Sequence, residues 1–436
     1  MTAADARATT VPAIPPLPAP ATPAAPAVRF VGDRRAYWRL LVRGAALLAV
    51  TLGIYRFWFA TDVRRFLWSN TEIANETLEY TGTPYELLIG FLIAIAVLVP
   101  IYVAFFVVAL SLGPVGQLAS VATFPVLAFL GHFAVYRARR YRLTRTVYRG
   151  VRCHQGGSAL RYAVCAMFWW VLILLSLGLV YPFAQSRLER FKMRHTYYGN
   201  LQGRFEGSGF GLFLRGLPMW LLVVGPFAAA LTFSIATVDW GKVADAAAAA
   251  NNASDFINQL ETTFPNVYAA IIALSTATTA SILMAVILFP VFQAMMLRWW
   301  LSGLRFGALT VRSHLRTATI YGAYLRFLWY GFLFGLALSI AGGVLFTSLR
   351  VMLAAVTERA EITEALGAAF GVAAYVVMML GYSTIYQGTV KLALWRGGVE
   401  SVELENAAGL DEVKAEGTPS SAVGEGLADA LNVGGF

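Results

Sequence analysis

The stretch that decides the fold is residues 52–91, which read LGIYRFWFATDVRRFLWSNTEIANETLEYTGTPYELLIGF. Residues 177–216 repeat it without a gap at a spacing of 125, and eight of the forty positions are identical. The identical pairs are Leu52/Leu177, Gly53/Gly178, Arg65/Arg190, Phe66/Phe191, Thr71/Thr196, Asn75/Asn200, Gly82/Gly207 and Leu87/Leu212. Because chance rarely keeps that many identities in register, we interpret the pattern as one supersecondary unit that has been multiplied.

Each copy has the same order of features. An apolar helix ends in aromatic residues, a basic helix carries Arg-Phe, and an aromatic-x-Gly triplet leads into the next apolar helix. Weaker copies lie near residues 137–160 and 298–316, and Phe30-Val31-Gly32 supplies the triplet alone. The fold is therefore expected to be built from internal repeats.

Composition determines the class of protein. Of the 436 residues, 58% are hydrophobic and only 13% are charged, and the mean hydropathy is +0.63. These values predict an all-α polytopic membrane protein whose helices are joined by basic-aromatic loops. Two cysteines, Cys153 and Cys165, are too few for a disulfide framework or a structural zinc site.

The apolar segments predict about eight membrane-embedded helices. Six of them are long enough to span and form three hairpins, in residues 87–136, 217–297 and 327–390. The other two, Gly44–Tyr55 and Tyr162–Ser186, are either re-entrant or spanning. The first is only twelve residues long, and the second carries Gly178 and Pro182, which loosen a helix.

Charge counting connects these two alternatives to topology. If both segments re-enter, 31 of the 34 Lys and Arg lie in the cytoplasm with both termini, as the positive-inside rule favours. If both span, the chain becomes two inverted three-helix repeats, an arrangement typical of transporters, and only 20 lie inside.

The two ends of the chain differ from the membrane domain, which we assign to residues 29–396. Residues 1–28 are rich in proline and alanine and are expected to be disordered. Residues 397–436 contain eight acidic side chains from Glu400 onward and one lysine, and they too are expected to be disordered.

The first repeat resembles a known family. Thr51-Leu52-Gly53-Ile54-Tyr55, the Arg64-Arg65-Phe66 triplet and Tyr80-Thr81-Gly82-Thr83 are similar to the YjgN-like bacterial inner-membrane proteins, a domain of unknown function. The resemblance covers about residues 29–395. It implies a multi-pass location in the bacterial inner membrane and implies no catalytic or binding residue.

The candidate site residues are those that recur. Arginine stands beside an aromatic residue in every copy, and such pairs suit either anionic lipid headgroups or anchoring at the membrane surface. The ligand candidates are Arg64, Arg65, Arg140, Arg190, Arg298, Asn75 and Asn200. The glycines Gly82, Gly157 and Gly207 are interpreted as tight turns that need a residue without a side chain.

Two functions remain open from the sequence. The first is a non-enzymatic membrane protein whose cytoplasmic Arg-aromatic motifs bind anionic lipid or organise partners. The second is a transporter or channel for a small or lipidic solute. Ionisable residues are scarce inside the apolar segments, which favours the first. No catalytic residue, metal site, cofactor or nucleic-acid partner is expected.

Overall fold

The computed structural model describes residues 28–111, 114–249, 252, 254, 265–356, 360–406, 413–416, 420–431 and 433. In these residues the chain is mostly helical, but it also forms a ten-stranded antiparallel sheet in which every strand pairs with the next. The strands are β1 Val28–Phe30, β2 Thr71–Ile73, β3 Glu76–Tyr80, β4 Thr146–Tyr148, β5 Val151–Gln155, β6 Thr196–Tyr198, β7 Leu201–Phe205, β8 Leu304–Phe306, β9 Leu309–Ser313 and β10 Val402–Glu405.

Helices fill the intervals between the strands. They are α1 Arg34–Val50, α2 Arg56–Ser69, α3 Pro84–Ser111, α4 Pro114–Thr144, α5 Ala159–Leu175, α6 Tyr181–Arg194, α7 Gly209–Thr237, α8 Trp240–Ala249, α9 Pro265–Ser302, α10 Thr317–Val356, α11 Ala360–Tyr386, a π-helical turn Gln387–Lys391, α12 Leu392–Glu400 and α13 Val423–Ala430.

The sheet corrects the all-α prediction. The segments expected to be basic-aromatic loops are β-hairpins with two-residue turns. The first turn residue has a positive φ in all four hairpins: 47° at Ala74, 48° at Arg149, 53° at Gly199 and 55° at Gly307. Such turns match the twist of the flanking strands. Strands of three to five residues are too short to show a clear alternation in the sequence.

The strands divide the chain into five β-α-α-β units. Within each unit the chain leaves the sheet, forms a helix pair and returns to pair with its own first strand, as in Phe30↔Thr71 and Tyr80↔Thr146. We number the units 1 to 5, for residues 28–73, 76–148, 151–198, 201–306 and 309–405. Both ends of every helix pair therefore lie at the sheet.

The five units close on each other. The second helix of each unit packs against the first helix of the next, and α11 of unit 5 packs against α1 of unit 1. Strand β10 also lies against β1. At this junction the rings of Trp68 and Trp395 are 4.8 Å apart, and Trp395 Nε1 donates to Thr71 Oγ1 at 3.0 Å. A buried cluster including Tyr37, Leu41 and Leu392 joins the first unit to the last.

Six of the described helices are long and apolar enough to cross a membrane, where the sequence predicted them. They are Pro84–Leu110, Val121–Thr144, Gly209–Thr237, Pro265–Ser302, Thr317–Met352 and Glu364–Glu400. They are the helix pairs of units 2, 4 and 5. Most of their large apolar side chains are exposed, as expected of helices that face lipid.

Units 1 and 3 hold short helix pairs instead. Residues 162–186 are not one helix as the apolar run suggested, because α5 ends at Leu175 and α6 begins at Tyr181. The break is the same in both units: φ is 49° at Leu52 and Leu177, and Gly53 and Gly178 follow at 90° and 88°. The left-handed Leu52 and Leu177 each end the first helix of their pair in a Schellman-type turn.

A hydroxyl group satisfies the backbone at each break. Thr51 Oγ1 accepts from the amide of Tyr55 at 3.0 Å, and Ser176 Oγ accepts from that of Val180 at 3.2 Å. Leu52 at the first break is 92% exposed, so an apolar side chain forms the tip of this helix pair. In the helix pairs of units 1 and 3, the turn at the apolar end thus forms these hydrogen bonds within itself.

The acidic tail is folded where it is described, in contrast to the expected disorder. Strand β10 pairs with β9, and α13 packs against α3 and α4. Leu427 and Ala428 are buried against Ala94 and Ala138. The proline-rich leader, apart from Val28 in β1, lies outside the described residues.

Candidate functional site

The recurring arginines hold the units together. Arg65 Nη2 donates to the carbonyl of Gly82 at 3.0 Å, and Arg190 Nη2 donates to that of Gly207 at 3.3 Å. Arg140 Nη2 donates to Gly156 O at 2.8 Å and also to Gly157 O. In three units the arginine thus reaches the glycine seventeen positions ahead, where the next unit's first helix begins.

The two later arginines keep the position but change partner. Arg298 Nη2 lies 3.3 Å from Thr317 Oγ1, at the start of α10. Sequence reasoning missed a fifth arginine, Arg396, which also stands six residues before a strand and donates to Glu400 at 2.7 Å. The constant six-residue interval relates all five arginines, but it is visible only once the strands are known.

The glycines are required for a reason other than the predicted turn. Gly82 and Gly207 are not among the positive-φ residues. Instead, the aromatic ring two positions earlier folds over each of them. A Cβ would lie 2.6 Å from the Tyr80 ring at Gly82 and 2.5 Å from the Phe205 ring at Gly207. Gly157 does have a left-handed φ, of 74°.

The candidate asparagines lie in hairpin turns. Asn75 is the second turn residue between β2 and β3, with φ of 66°. Asn200 occupies the same position between β6 and β7, where its Oδ1 accepts from the amide of Lys414 in the tail at 3.0 Å. Both residues therefore have a structural role in the sheet.

Arg64 is a buried member of an ion-pair cluster. Its guanidinium pairs with Glu425 of α13 and donates to Tyr80 Oη at 3.1 Å. Glu425 also lies 3.6 Å from Arg142 Nε. Burial alone would lower the pKa of Arg64, but the Glu425 carboxylate and Tyr80 reverse that effect and the pKa is raised. The guanidinium is therefore always charged.

A basic groove lies between α1 and α2. Its volume is about 660 Å³, and it is lined by Ala36, Arg39, Leu40, Arg43, Gly44, Tyr55, Phe59, Asp62, Arg65, Phe66 and Ser69. Arg39 and Arg43 stand one turn apart on the exposed side of α1. The groove therefore combines three guanidinium groups, one carboxylate and an aromatic floor.

The corresponding positions of unit 3 carry their charges elsewhere. At the repeat spacing of 125, Val164 and Phe168 stand where unit 1 has Arg39 and Arg43, whereas Arg161, Arg187 and Arg194 stand where it has Ala36, Asp62 and Ser69. Arg190 stands at the position of Arg65 and makes the same contact with a glycine carbonyl. The pair Arg39 and Arg43 on the first helix is therefore specific to unit 1 and is separate from the architecture that both units share.

The remaining chemistry-bearing residues are dispersed. Cys153 and Cys165 are free thiols, and burial raises the pKa of Cys153 to about 12. His195 Nδ1 bonds the carbonyl of Phe191 at 2.8 Å, and the His154 ring stacks on Tyr197. Within the described ranges, no three His, Cys, Asp or Glu side chains are grouped so that they could hold a metal ion.

Comparisons with known proteins identify the family. Searches of curated proteins and of solved structures found no match to the chain. A family model described as "Bacterial protein of unknown function (DUF898)" matches residues 25–430, a span that includes both the repeats and the tail helix α13. The resemblance seen in the first repeat is thereby confirmed, and the chain belongs to this bacterial family of unknown function.

Proposed function

We propose that the protein is a non-enzymatic multi-pass protein of the bacterial inner membrane that binds anionic phospholipid headgroups in the groove between α1 and α2. The observation that carries this proposal is the convergence of Arg39, Arg43 and Arg65 on one groove beside an apolar helix tip.

The sheet supports a single orientation of all five units. Because each unit's two strands pair with each other, both ends of each helix pair belong on the same side of the membrane. The spanning pairs of units 2, 4 and 5 then cross and return, and the short pairs of units 1 and 3 re-enter. With the sheet in the cytoplasm, 31 of 34 Lys and Arg and both termini lie inside, as the positive-inside rule favours.

The short pair of unit 1 suits the membrane interface. Helix α1 is basic from Arg34 to Arg43 and uncharged from Gly44 onward. Its seventeen residues extend roughly 25 Å at 1.5 Å per residue, less than the thickness of a bilayer's hydrocarbon core. Arg39 and Arg43 then stand at the headgroup level, and the exposed Leu52 tip stands among the acyl chains.

The chemistry of the groove favours an anionic amphiphile. Three guanidinium groups against Asp62 leave an excess of two positive charges. Guanidinium groups bind phosphate oxygens in pairs, and Tyr55, Phe59 and Phe66 offer an apolar surface for the first part of an acyl chain. Each basic side chain near an anionic membrane surface contributes about 1 kcal/mol.

The test compares lipid retention in matched variants. Arg39→Val with Arg43→Phe copies the unit 3 residues into unit 1, so the fold is expected to tolerate it. Arg204→Gln with Arg316→Gln removes the same charge at exposed positions outside the groove. The assay is native mass spectrometry after reconstitution with phosphatidylglycerol or phosphatidylcholine.

The expected result is selective. Wild type and the Arg204/Arg316 control retain phosphatidylglycerol over phosphatidylcholine, and the groove variant loses about 2 kcal/mol, or roughly thirty-fold in affinity. Equal loss in both variants would mean that only total charge matters. Absence of any preference between the two lipids in wild type would remove the proposed function.

A further inference from the structure

We propose that a cavity between units 3 and 4 binds one acyl chain of a membrane phospholipid. The cavity has a volume of about 270 Å³ and is bounded by the turn that joins α5 to α6 and by α7 and α9, which are both long and apolar enough to cross a membrane. It shares no lining residue with the groove between α1 and α2. The proposal therefore goes beyond the function proposed for that groove.

The cavity extends along the uncharged parts of two helices. Helix α7 is uncharged beyond Arg215, and α9 is uncharged up to Arg298. The lining reaches Val224 in α7 and Ala285 in α9. At 1.5 Å per residue these positions lie roughly 14 Å and 20 Å from the two arginines. In a bilayer whose hydrocarbon core is roughly 30 Å thick, the cavity therefore lies among the lipid acyl chains.

The lining favours a hydrocarbon chain over a polar ligand. None of the described side chains that line the cavity is charged. The indole N–H of Trp220 already donates to the carbonyl of Leu177 at 2.8 Å. Met295 and Met296 supply flexible thioether side chains, which adapt to irregular apolar shapes. Since an apolar cavity of roughly 150 Å³ is enough to bind benzene, this larger one has room for a segment of an acyl chain.

The first copy of the repeat fills the corresponding space with its own side chains. At the repeat spacing of 125, Gly216 stands where the first copy has Phe91. The Phe91 ring packs on Phe57 at a centroid distance of 5.2 Å, and Ala422 of the tail joins the same cluster. At Gly216 the nearest described atom outside the helix that an added Cβ would meet is Cε of Met295, at 3.8 Å. The second copy therefore has open space where the first has an aromatic ring.

A phospholipid is the occupant that fits both the mouth and the interior of this cavity. Phe289, one of the lining residues, is 48% exposed, so the cavity opens on the lipid-facing surface. An acyl chain that enters gains dispersion contacts with the walls, because surrounding lipid is already as apolar as the lining. Arg215 is exposed where the uncharged part of α7 begins, and its guanidinium suits the phosphate that all phospholipids share.

The experiment maps where a photoactivatable acyl chain reacts with the full-length protein in detergent. Phosphatidylglycerol and phosphatidylcholine, each with a diazirine in one acyl chain, are added separately and irradiated, and labelled peptides are identified by mass spectrometry. Gly216→Phe fills the cavity with the side chain that the first copy has there, and Ala285→Phe narrows it from α9. Gly343→Phe in α10 is the control, since its added Cβ would meet nothing within 4 Å apart from its neighbours in the same helix.

The expected result is labelling concentrated at the cavity. Both lipids label the lining residues of α7 and α9 in wild type, and an excess of unlabelled phospholipid suppresses the label. Gly216→Phe and Ala285→Phe each lower the labelling yield by about ten-fold, which corresponds to about 1.4 kcal/mol of lost contacts. Gly343→Phe leaves the yield unchanged. Arg39→Val with Arg43→Phe also leaves it unchanged, so failure of this proposal is distinguishable from failure of the groove.

Three results would overturn the proposal. One is label that is spread evenly over the spanning helices of wild type. Another is an unchanged yield in whichever of the two filled variants, Gly216→Phe or Ala285→Phe, folds as wild type does. The third is labelling of the cavity by a diazirine fatty acid and by neither phospholipid, which would identify a free fatty acid as the occupant. If neither filled variant folds, the distribution of label in wild type decides.

Discussion

The substitution Gly207→Ala tests why the repeat contains a glycine. The Phe205 ring folds back across Gly207, and a new Cβ would lie 2.5 Å from its Cζ. Carbon atoms in contact prefer about 3.5–4.0 Å, so the ring must move by about 1 Å. Phe205 is buried and meets the Trp299 ring edge-on at a centroid distance of 4.9 Å, so there is little room for that movement.

The expected loss is about 1–3 kcal/mol, the usual range for overpacking a well-packed core. Gly343→Ala in α10 is the control, since its added Cβ would meet nothing within 4 Å apart from its neighbours in the same helix. Alanine in a helix interior is favoured over glycine by about 0.5–1 kcal/mol, so this variant should be neutral or stabilised. Both are compared by thermal unfolding of the detergent-solubilised protein.

A double-mutant cycle separates ring contact from backbone conformation. In a Phe205→Leu background the ring is gone, and the loss caused by Gly207→Ala should fall by more than half. If the glycine were needed for a left-handed turn, the loss would be unchanged in that background. The same loss in both backgrounds, or equal effects of Gly207→Ala and Gly343→Ala, would refute the reasoning.

Four further predictions concern the helix break, the topology, a thiol and the tail. Thr51→Val leaves the Tyr55 amide without its hydrogen-bond acceptor at an apolar tip, so the free energy of unfolding should fall by about 1–3 kcal/mol. Thr51→Ser should be neutral, and thermal unfolding checks both variants. The topology is tested with a membrane-impermeant maleimide added outside spheroplasts that carry a cysteine-free protein. The reagent should label Asn252→Cys but not Ala308→Cys in the β8–β9 turn. The opposite pattern would invert the proposed orientation. With Cys165 replaced by alanine, alkylation of Cys153 should stay slow at pH 8 and accelerate only as the pH approaches about 12, because the raised pKa of Cys153 keeps its thiol protonated. Mass spectrometry measures the alkylation rate. Ending the chain after Asn406 removes the carboxylate that faces Arg64 and should lower the melting temperature, while an unchanged melting temperature would show that α13 adds no stability.

Local patterns explain what could be predicted. Long apolar runs give spanning helices in any context, because a helix satisfies its own backbone in lipid, and so the six candidate spans are visible in the sequence. The repeat at 125 is also visible, and it marks the shared helix break at Leu52 and Leu177. The recurring arginines can be read from the chain as well, but their six-residue interval before each strand is visible only once the strands are known.

The partners of these residues could not be predicted in the same way. Arg65 and Arg190 contact backbone carbonyls, and every residue has a carbonyl, so no side-chain pattern identifies the acceptor. A headgroup role and a structural role for an arginine look alike in sequence. The groove was missed for a related reason, since Arg39 and Arg43 become a site only when α2 brings Arg65 beside them.

The sequence by itself determined that the chain is mostly helical and has six segments long and apolar enough to cross a membrane, because hydrophobic length is a local property of the chain. Tertiary structure alone decided that the ten strands among the described residues form one sheet, that unit 5 closes on unit 1, and that the acidic tail supplies Glu425 to Arg64. Strands of three to five residues are stable only when paired, and a carboxylate 361 positions from its arginine becomes a partner only when the fold buries both.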